Sequence, residues 1–393
     1  MTIRRMAATK TGNTYDVIVV GAGVFGVWTA YHLQRSGRRV LLMDAYGPGN
    51  NRSSSGDESR IIRMGYGADE IYTRSAVRSF EFWQELLSRT GEPLFCRTGV
   101  LWLAHEDDPY AGQTIETLHR AGVACERLAL SEIAQRYPQF ARDKISWAFL
   151  ELESGVMLAR RAVQAVAREA IRAGAEYSHD EVQAPAGNGK LDHILTLNER
   201  RVSAENFVFV CGPWLPKLFP ELVGQRIRPT RQEVFYFGTP PGADRFTPPA
   251  MPTWIDFKDE AYGLPDIDGR GIKCAIDRHG EPFDPDQGNR VTSPKGLLAA
   301  RDYLARRIPA LRDAPLLEAR VCQYENTSNG DFLIDRHPEF ENVWLAGGGS
   351  GHGFKHGPTV GEYVMARIDG HNEGIEPRFS LTSKGSEPRR AVY

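Results

Sequence analysis

The 393-residue chain has no long apolar run. Nothing approaches the roughly 18 consecutive apolar residues that span a bilayer, and the strongest candidate is the short Val17 to Val20 segment. A membrane protein is therefore not expected. Cysteine is scarce: Cys96, Cys125, Cys211, Cys274 and Cys322 are widely spaced and form no CxxC pair, which excludes a disulfide scaffold and a zinc or dithiol motif. No metal site is expected, and a reducing, cytoplasmic compartment fits best. An excess of one charge is also lacking. The 48 basic and 50 acidic side chains leave a net charge of −2, so nothing recommends nucleic acid as a partner. No repeat of 20 to 50 residues runs through the chain. The opening MTIRRMAATKT lacks the apolar centre of a secretory signal. That opening and the polar end from Asn372 read as flexible ends, 1–14 and 372–393.

What is present is an ordinary globular composition, 41% hydrophobic and 25% charged, on a length that suggests two or three domains. From Tyr15 the chain reads YDVIVVGAGVFGVWTAYHLQRSGRRVLLMDA. A short β-branched run, a glycine turn, a helical stretch and a second apolar run make a βαβ unit. Gly21 permits the turn, Gly23 lets backbone approach a pyrophosphate, and Gly26 lets the helix pack on the strand. Asp44 ends the second strand at the distance where a carboxylate accepts from a ribose hydroxyl. Dinucleotide binding follows from the whole pattern, because the glycine motif alone is weak.

Further on, Asp69 to Thr90 repeats apolar residues close to a 3.6 period and stops at Gly91, an amphipathic helix whose Phe80 and Trp83 read as core. A second helix is expected over Ala159 to Ala173, followed by strands near 193 to 212 that return to the first sheet. Between Arg228 and about Cys322 alternating strands such as EVFYFG, with proline and glycine clusters, imply a second, mainly antiparallel domain. Near the end a strand at Asn342 to Leu345 runs into GGGSGHGFKHGP and then a helix through Ile368. A second glycine loop thus opens a second helix.

Together these segments resemble the monomeric sarcosine oxidase and N-methyltryptophan oxidase family of flavin-dependent amine oxidases, within the wider D-amino-acid oxidase superfamily. The likeness covers about residues 15 to 370. It rests on YDVIVVGAGVFG, SGDESRIIRMGYG, RTGVLWL, ESGVM, RPTRQEVFYF, GIK at 271 to 273, VCQY at 321 to 324, and GGGSGHGFKHGP. The resemblance implies a Rossmann-like FAD-binding domain built from 15–90, 150–220 and 320–370. A substrate domain with a mainly antiparallel sheet would come from 91–149 and 221–319.

It also implies site residues. FAD would be held by Gly21, Gly23, Val24, Phe25, Gly26, Asp44, Ser54, Arg60, Gly349, Gly351, Gly353, Phe354 and Lys355. Cys322 stands where the family bonds the flavin 8α-methyl covalently; without that context a lone cysteine is better read as a small buried hydrophobe. Lys355, at the mouth of the last helix, and Arg63 would hold a substrate carboxylate, a planar two-oxygen group that suits arginine. Lys273 matches the lysine that promotes reaction with oxygen, and Arg60 would face the isoalloxazine. Tyr262 and Tyr324 either orient the amine or simply pack. His352 touches flavin or carboxylate, or serves only the loop. Asp335, His337 and Pro338 read as structural.

Two departures stand out. GDESR carries one residue more than the family's GDTR-like stretch. Asp277 replaces a histidine and faces either a cationic or hydroxylated substrate or the solvent. The expected activity is FAD-dependent oxidation of a secondary amine or N-substituted amino acid to an imine, by a monomer, with oxygen reduced to hydrogen peroxide. The rivals are a dehydrogenase using another acceptor, an oxidase of glycated or cyclic imino acids, and a non-catalytic FAD-binding module.

Overall fold

The apolar run at Tyr15–Val20 becomes a buried strand, joined by the glycine turn to the helix Val24–Arg35 and then to the parallel strand Val40–Asp44. The computed structural model describes residues 15–106, 108–371 and 374–386; the segment 1–14 and the rest of 372–393 lie outside the described residues. The order in the first sheet is Leu333–Arg336, Val343–Gly347, Arg201–Phe209, Tyr15–Val20, Val40–Asp44, Glu176–His179, and His193–Leu195 pairs with Arg201–Phe209. Val17 lies opposite Val40 on one side and Asn206 on the other. The four central pairings are parallel, an arrangement that needs cover on both faces and explains the nearly unbroken apolar runs.

The first helix is buried almost throughout, because Gly357–Ile368 and Ala159–Arg172 pack against it. Two glycines let these elements close up. A Cβ on Gly26 would stand 1.7 Å from the Gly21 carbonyl oxygen, and one on Gly361 would stand 2.7 Å from the Thr29 nitrogen. The second glycine loop is thereby pressed onto the helix that the first one opens. The amphipathic helix Glu70–Thr90 is capped by the Asp69 carboxylate, which accepts from the Tyr72 amide, and ends at Gly91 with φ 66°. Its Trp83 is fully buried.

The second sheet has eight strands. They run in the order Leu316–Thr327, Ile227–Phe237, Ile272–Ile276, Ala261–Leu264, Thr253–Asp256, Val100–Ala104, Trp147–Glu151, Cys125–Ala129. Every pairing is antiparallel except Thr253–Asp256 beside Val100–Ala104. The α/β sheet with a second, mainly antiparallel sheet is the expected fold class. One placement differs in detail. The strand bearing Cys322 belongs to the second sheet, so it straddles the boundary expected at 320.

The chain end also differs from expectation. Residues 374–386 are not loose: Arg378 binds the Asp69 carboxylate through both guanidinium nitrogens at 2.6 and 2.9 Å. Phe379 is buried beside Phe332 and Tyr363. A polar composition hid one aromatic anchor and one bidentate pair, which are enough to fix a short segment.

Candidate active site

A large cavity opens between the two sheets, enclosing about 2290 Å³ of empty space, part of it at the open mouth. Of the site residues expected from the sequence, all but Gly26 line it. The first glycine turn contributes Gly21, Gly23, Val24 and Phe25, with Asp44 at the neighbouring strand end. The loop after that strand brings Ser54, Arg60 and Arg63. The second sheet brings Tyr262, Lys273, Asp277, Cys322 and Tyr324, and the second glycine loop brings Gly349, Gly351, His352, Gly353, Phe354 and Lys355. Gly26 sits beneath, at the contact of helix and turn.

One wall is a buried charge cluster. Lys273, 1% exposed, donates from Nζ to Asp57 Oδ2 at 2.5 Å and to the Ser59 carbonyl at 2.9 Å. Arg60 Nη1 donates to the same carboxylate oxygen at 2.6 Å, while its Nη2 reaches Cys322 Sγ at 3.1 Å and the Ser54 carbonyl at 2.8 Å. Burial alone would raise the Asp57 carboxyl, but Lys273 and Arg60 overcome it and hold the group well below the usual carboxylate range. Burial pushes Lys273 down and the ionised Asp57 pulls it back, so we assign the pair as carboxylate and ammonium. Asp57 lies inside the GDESR stretch, where sequence reasoning attended to loop length and passed over the acid.

The cavity is also lined by Lys355 and Arg63. Lys355 occupies the single turn Gly353–His356 that leads into the last helix, and its Nζ donates to Tyr66 Oη at 2.7 Å and to the His352 carbonyl at 2.9 Å. Trp83 Nε1 donates to the Lys355 carbonyl at 3.2 Å, which ties this turn to the amphipathic helix. The Arg63 guanidinium lies 4.5 Å from the centre of the Tyr66 ring and 5.1 Å from that of Trp102, an aromatic seat that fixes its plane. It is buried, unlike an ordinary surface arginine. Burial first, and the Arg63 charge second, lower Lys355 well below its ordinary value, with Glu151 and Asp277 acting in the opposite sense.

Asp277 faces inward: Tyr324 Oη donates to it at 2.8 Å, and both line the cavity with Tyr262. The two ring nitrogens of His352 lie 3.1 Å from Tyr66 Oη and from the Gly330 carbonyl, and the residue also borders the cavity. Asp335 accepts from the Leu381 amide at 2.8 Å, and neither it nor His337 nor Pro338 lines the cavity.

The dinucleotide expected from the glycine turn fits these residues. A Cβ on Gly23 would meet nothing nearer than Ser55 Oγ at 3.5 Å, so the backbone there lies open toward the cavity. Asp44 stands at the strand end, its carboxylate accepting from the amides of Ala22, Tyr46 and Gly47, each at 2.7 Å. Glu325 was not anticipated. It accepts from Ser54 Oγ at 2.7 Å inside the cavity, and burial pushes its carboxyl up to about 7.

A family profile described as FAD dependent oxidoreductase matches residues 16–367. The monomeric sarcosine oxidase of Streptomyces avermitilis is 33% identical over 360 residues, 89% of this chain and 92% of its own. The N-methyl-L-tryptophan oxidase of Salmonella typhi is 28% identical, covering 94% and 97%. The structure of L-proline dehydrogenase from P. horikoshii superposes with a TM-score of 0.84 at 22% identity, over 96% of this chain and all of that one, which shows a shared fold. The chain therefore belongs to the FAD dependent oxidoreductase family, as an enzyme of the sarcosine oxidase type.

Proposed function

We propose that the protein oxidises the C–N bond of a secondary amine or N-substituted amino acid to the imine, with oxygen reduced to hydrogen peroxide. The observation that carries this is that one cavity is lined by Arg63, Lys355, Lys273 and Cys322 together. The FAD that this family uses would supply the hydride acceptor and, once reduced, the electrons for oxygen.

The residues supply binding, orientation and field. Arg63, in contact with the Tyr66 and Trp102 rings, and Lys355 would take the substrate carboxylate. Tyr262 and Tyr324 bound the space where the amine would then lie, with Asp277 behind Tyr324. Arg60, Arg63 and Lys273 bring positive charge to that space, which favours the neutral amine over its ammonium form. A neutral nitrogen makes the adjacent C–H the better hydride donor. Lys273, kept charged by Asp57, would stabilise the negative charge that develops on oxygen at its first electron transfer. Cys322, with Arg60 beside its sulfur, would hold the flavin covalently. Five free cysteines and the word "monomeric" in the relatives' names support a monomer working in a reducing cytoplasm. Among the described residues no helix is long and apolar enough to cross a membrane.

The test is anaerobic mixing of the yellow protein with a panel of N-alkyl amino acids, primary amino acids and amines lacking a carboxylate. We expect bleaching by N-alkyl amino acids, far weaker bleaching by decarboxylated amines, and recovery of colour within seconds of admitting air. No bleaching by any member would contradict the reading. Flavin that stays reduced for minutes in air would remove oxygen as the acceptor.

A further inference from the structure

Behind Lys355, on the side away from the cavity, a buried chain of hydrogen bonds leads to the protein surface. His352 Nε2 faces the Gly330 carbonyl at 3.1 Å. A carbonyl only accepts, so Nε2 carries the proton and Nδ1, 3.1 Å from Tyr66 Oη, accepts the tyrosine hydroxyl. With that proton engaged, His356 Nε2 must donate to Tyr66 Oη at 2.7 Å. His356 Nδ1 is then the acceptor for Ser75 Oγ at 2.9 Å. Ser75 is half-buried on the helix Glu70–Thr90, and beside it Thr359 Oγ1 lies 2.8 Å away. Lys355, Tyr66, His352 and His356 are buried.

We propose that Tyr66, His356 and Ser75 form a path by which Lys355 exchanges a proton with solvent from behind, so that binding of a carboxylate is coupled to uptake of one proton. The proposal rests on the reading that Lys355 holds the substrate carboxylate. The need for such a path follows from the site. Substrate covers the cavity face of Lys355, so a proton required after binding has to arrive from the opposite side. The charged and titratable groups around Lys355 are Arg63 after the strand Arg60–Ile62, Glu151 at the end of Trp147–Glu151, Asp277 after Ile272–Ile276, and Tyr66, His352 and His356. Burial together with Arg63 favours a neutral amine on Lys355 before a carboxylate arrives, and burial keeps both histidines neutral.

The transfer balances with no electrons moved. Solvent gives a proton to Ser75 Oγ, and the serine hydroxyl proton passes to His356 Nδ1. The proton on His356 Nε2 passes to Tyr66 Oη. The tyrosine hydroxyl swings from His352 Nδ1 to the lone pair of Lys355 and delivers its proton there. One proton leaves solvent and one ammonium is formed. His356 ends as the other neutral tautomer, and the reverse transfer on release of the carboxylate, from Lys355 through Tyr66 to His356 Nε2 and from Nδ1 through Ser75 to solvent, restores the first.

The experiment is stopped-flow mixing of the flavin-loaded enzyme with acetate, and with acetamide as the uncharged control, in weak buffer containing a pH indicator. The flavin spectrum reads binding and the dye reads the proton. For the native enzyme we expect about one proton per acetate, rising with the spectral change, and none with acetamide. In Ser75→Val and His356→Phe the spectral change should persist while proton uptake slows at least tenfold. Ser75→Val alters a half-buried hydroxyl, so it decides the matter if His356→Phe fails to fold. Native rates of proton uptake in both variants, or acetate binding by the native enzyme without uptake, would overturn the path. Lys355→Met separates the two readings: acetate affinity unchanged in that variant would instead overturn the carboxylate role of Lys355.

Discussion

Lys273 and Asp57 show how a single pairing decides what a site can do. A lysine this deeply buried is normally driven toward the neutral amine, and an unpaired charge in the interior costs several kcal/mol. Asp57 prevents this for Lys273 and at the same time holds Arg60 beside Cys322. Asp57→Asn should therefore leave two cations facing a neutral amide, lowering stability by about 3–5 kcal/mol, read as a lower urea midpoint at neutral pH. The sign of the pH dependence follows. The folded carboxyl is depressed, so its contribution is complete above the ordinary carboxylate pKa and fades only as pH falls below it. The gap between native and Asp57→Asn protein should close in acid; a gap unchanged down to about pH 3 would contradict the pairing. In the sequence Lys273 and Arg60 were legible through motif likeness. Asp57, Tyr66, His356 and Glu325 were not, because what they do depends on partners far away in the chain, and no local pattern marks a carboxylate that will meet a lysine 216 residues later.

Among the elements, the two glycine turns carry the contrast between packing and binding. The spacing of Gly21, Gly23 and Gly26 was readable with its physical reasons, and so were the amphipathic helix ending at Gly91 and the helix opened by the second glycine loop. The structure separates their roles. A Cβ at position 26 would collide with the Gly21 carbonyl, whereas one at 23 would make only ordinary contact. Gly26→Ala should thus break helix from strand and fail to give folded, soluble protein. Gly23→Ala should give folded, soluble protein, yet incorporate much less flavin, measured as the visible-to-ultraviolet absorbance ratio. Equal behaviour of the two variants would contradict the division. What the pattern concealed was the chain end, where Arg378 and Phe379 anchor residues that composition marked as loose.

At the scale of the whole molecule, the cavity exists because the second sheet lies over the open end of the first, and the strand Leu316–Thr327 presents Cys322 to the loop that carries Arg60. Sequence alternation announced a second antiparallel sheet but not its strand order, because pairings such as Ile227–Phe237 with Leu316–Thr327 are set by tertiary contact. The pairing that makes the site therefore became visible only in three dimensions. In the proposed reaction the reacting end of the flavin would lie against this strand. This is tested by digesting acid-denatured protein and determining the mass of the peptide containing Cys322. This peptide should carry the flavin, and Cys322→Ala should release all colour into the acid supernatant. Flavin found wholly free in the native protein's supernatant, or bound to a peptide from another strand, would contradict it.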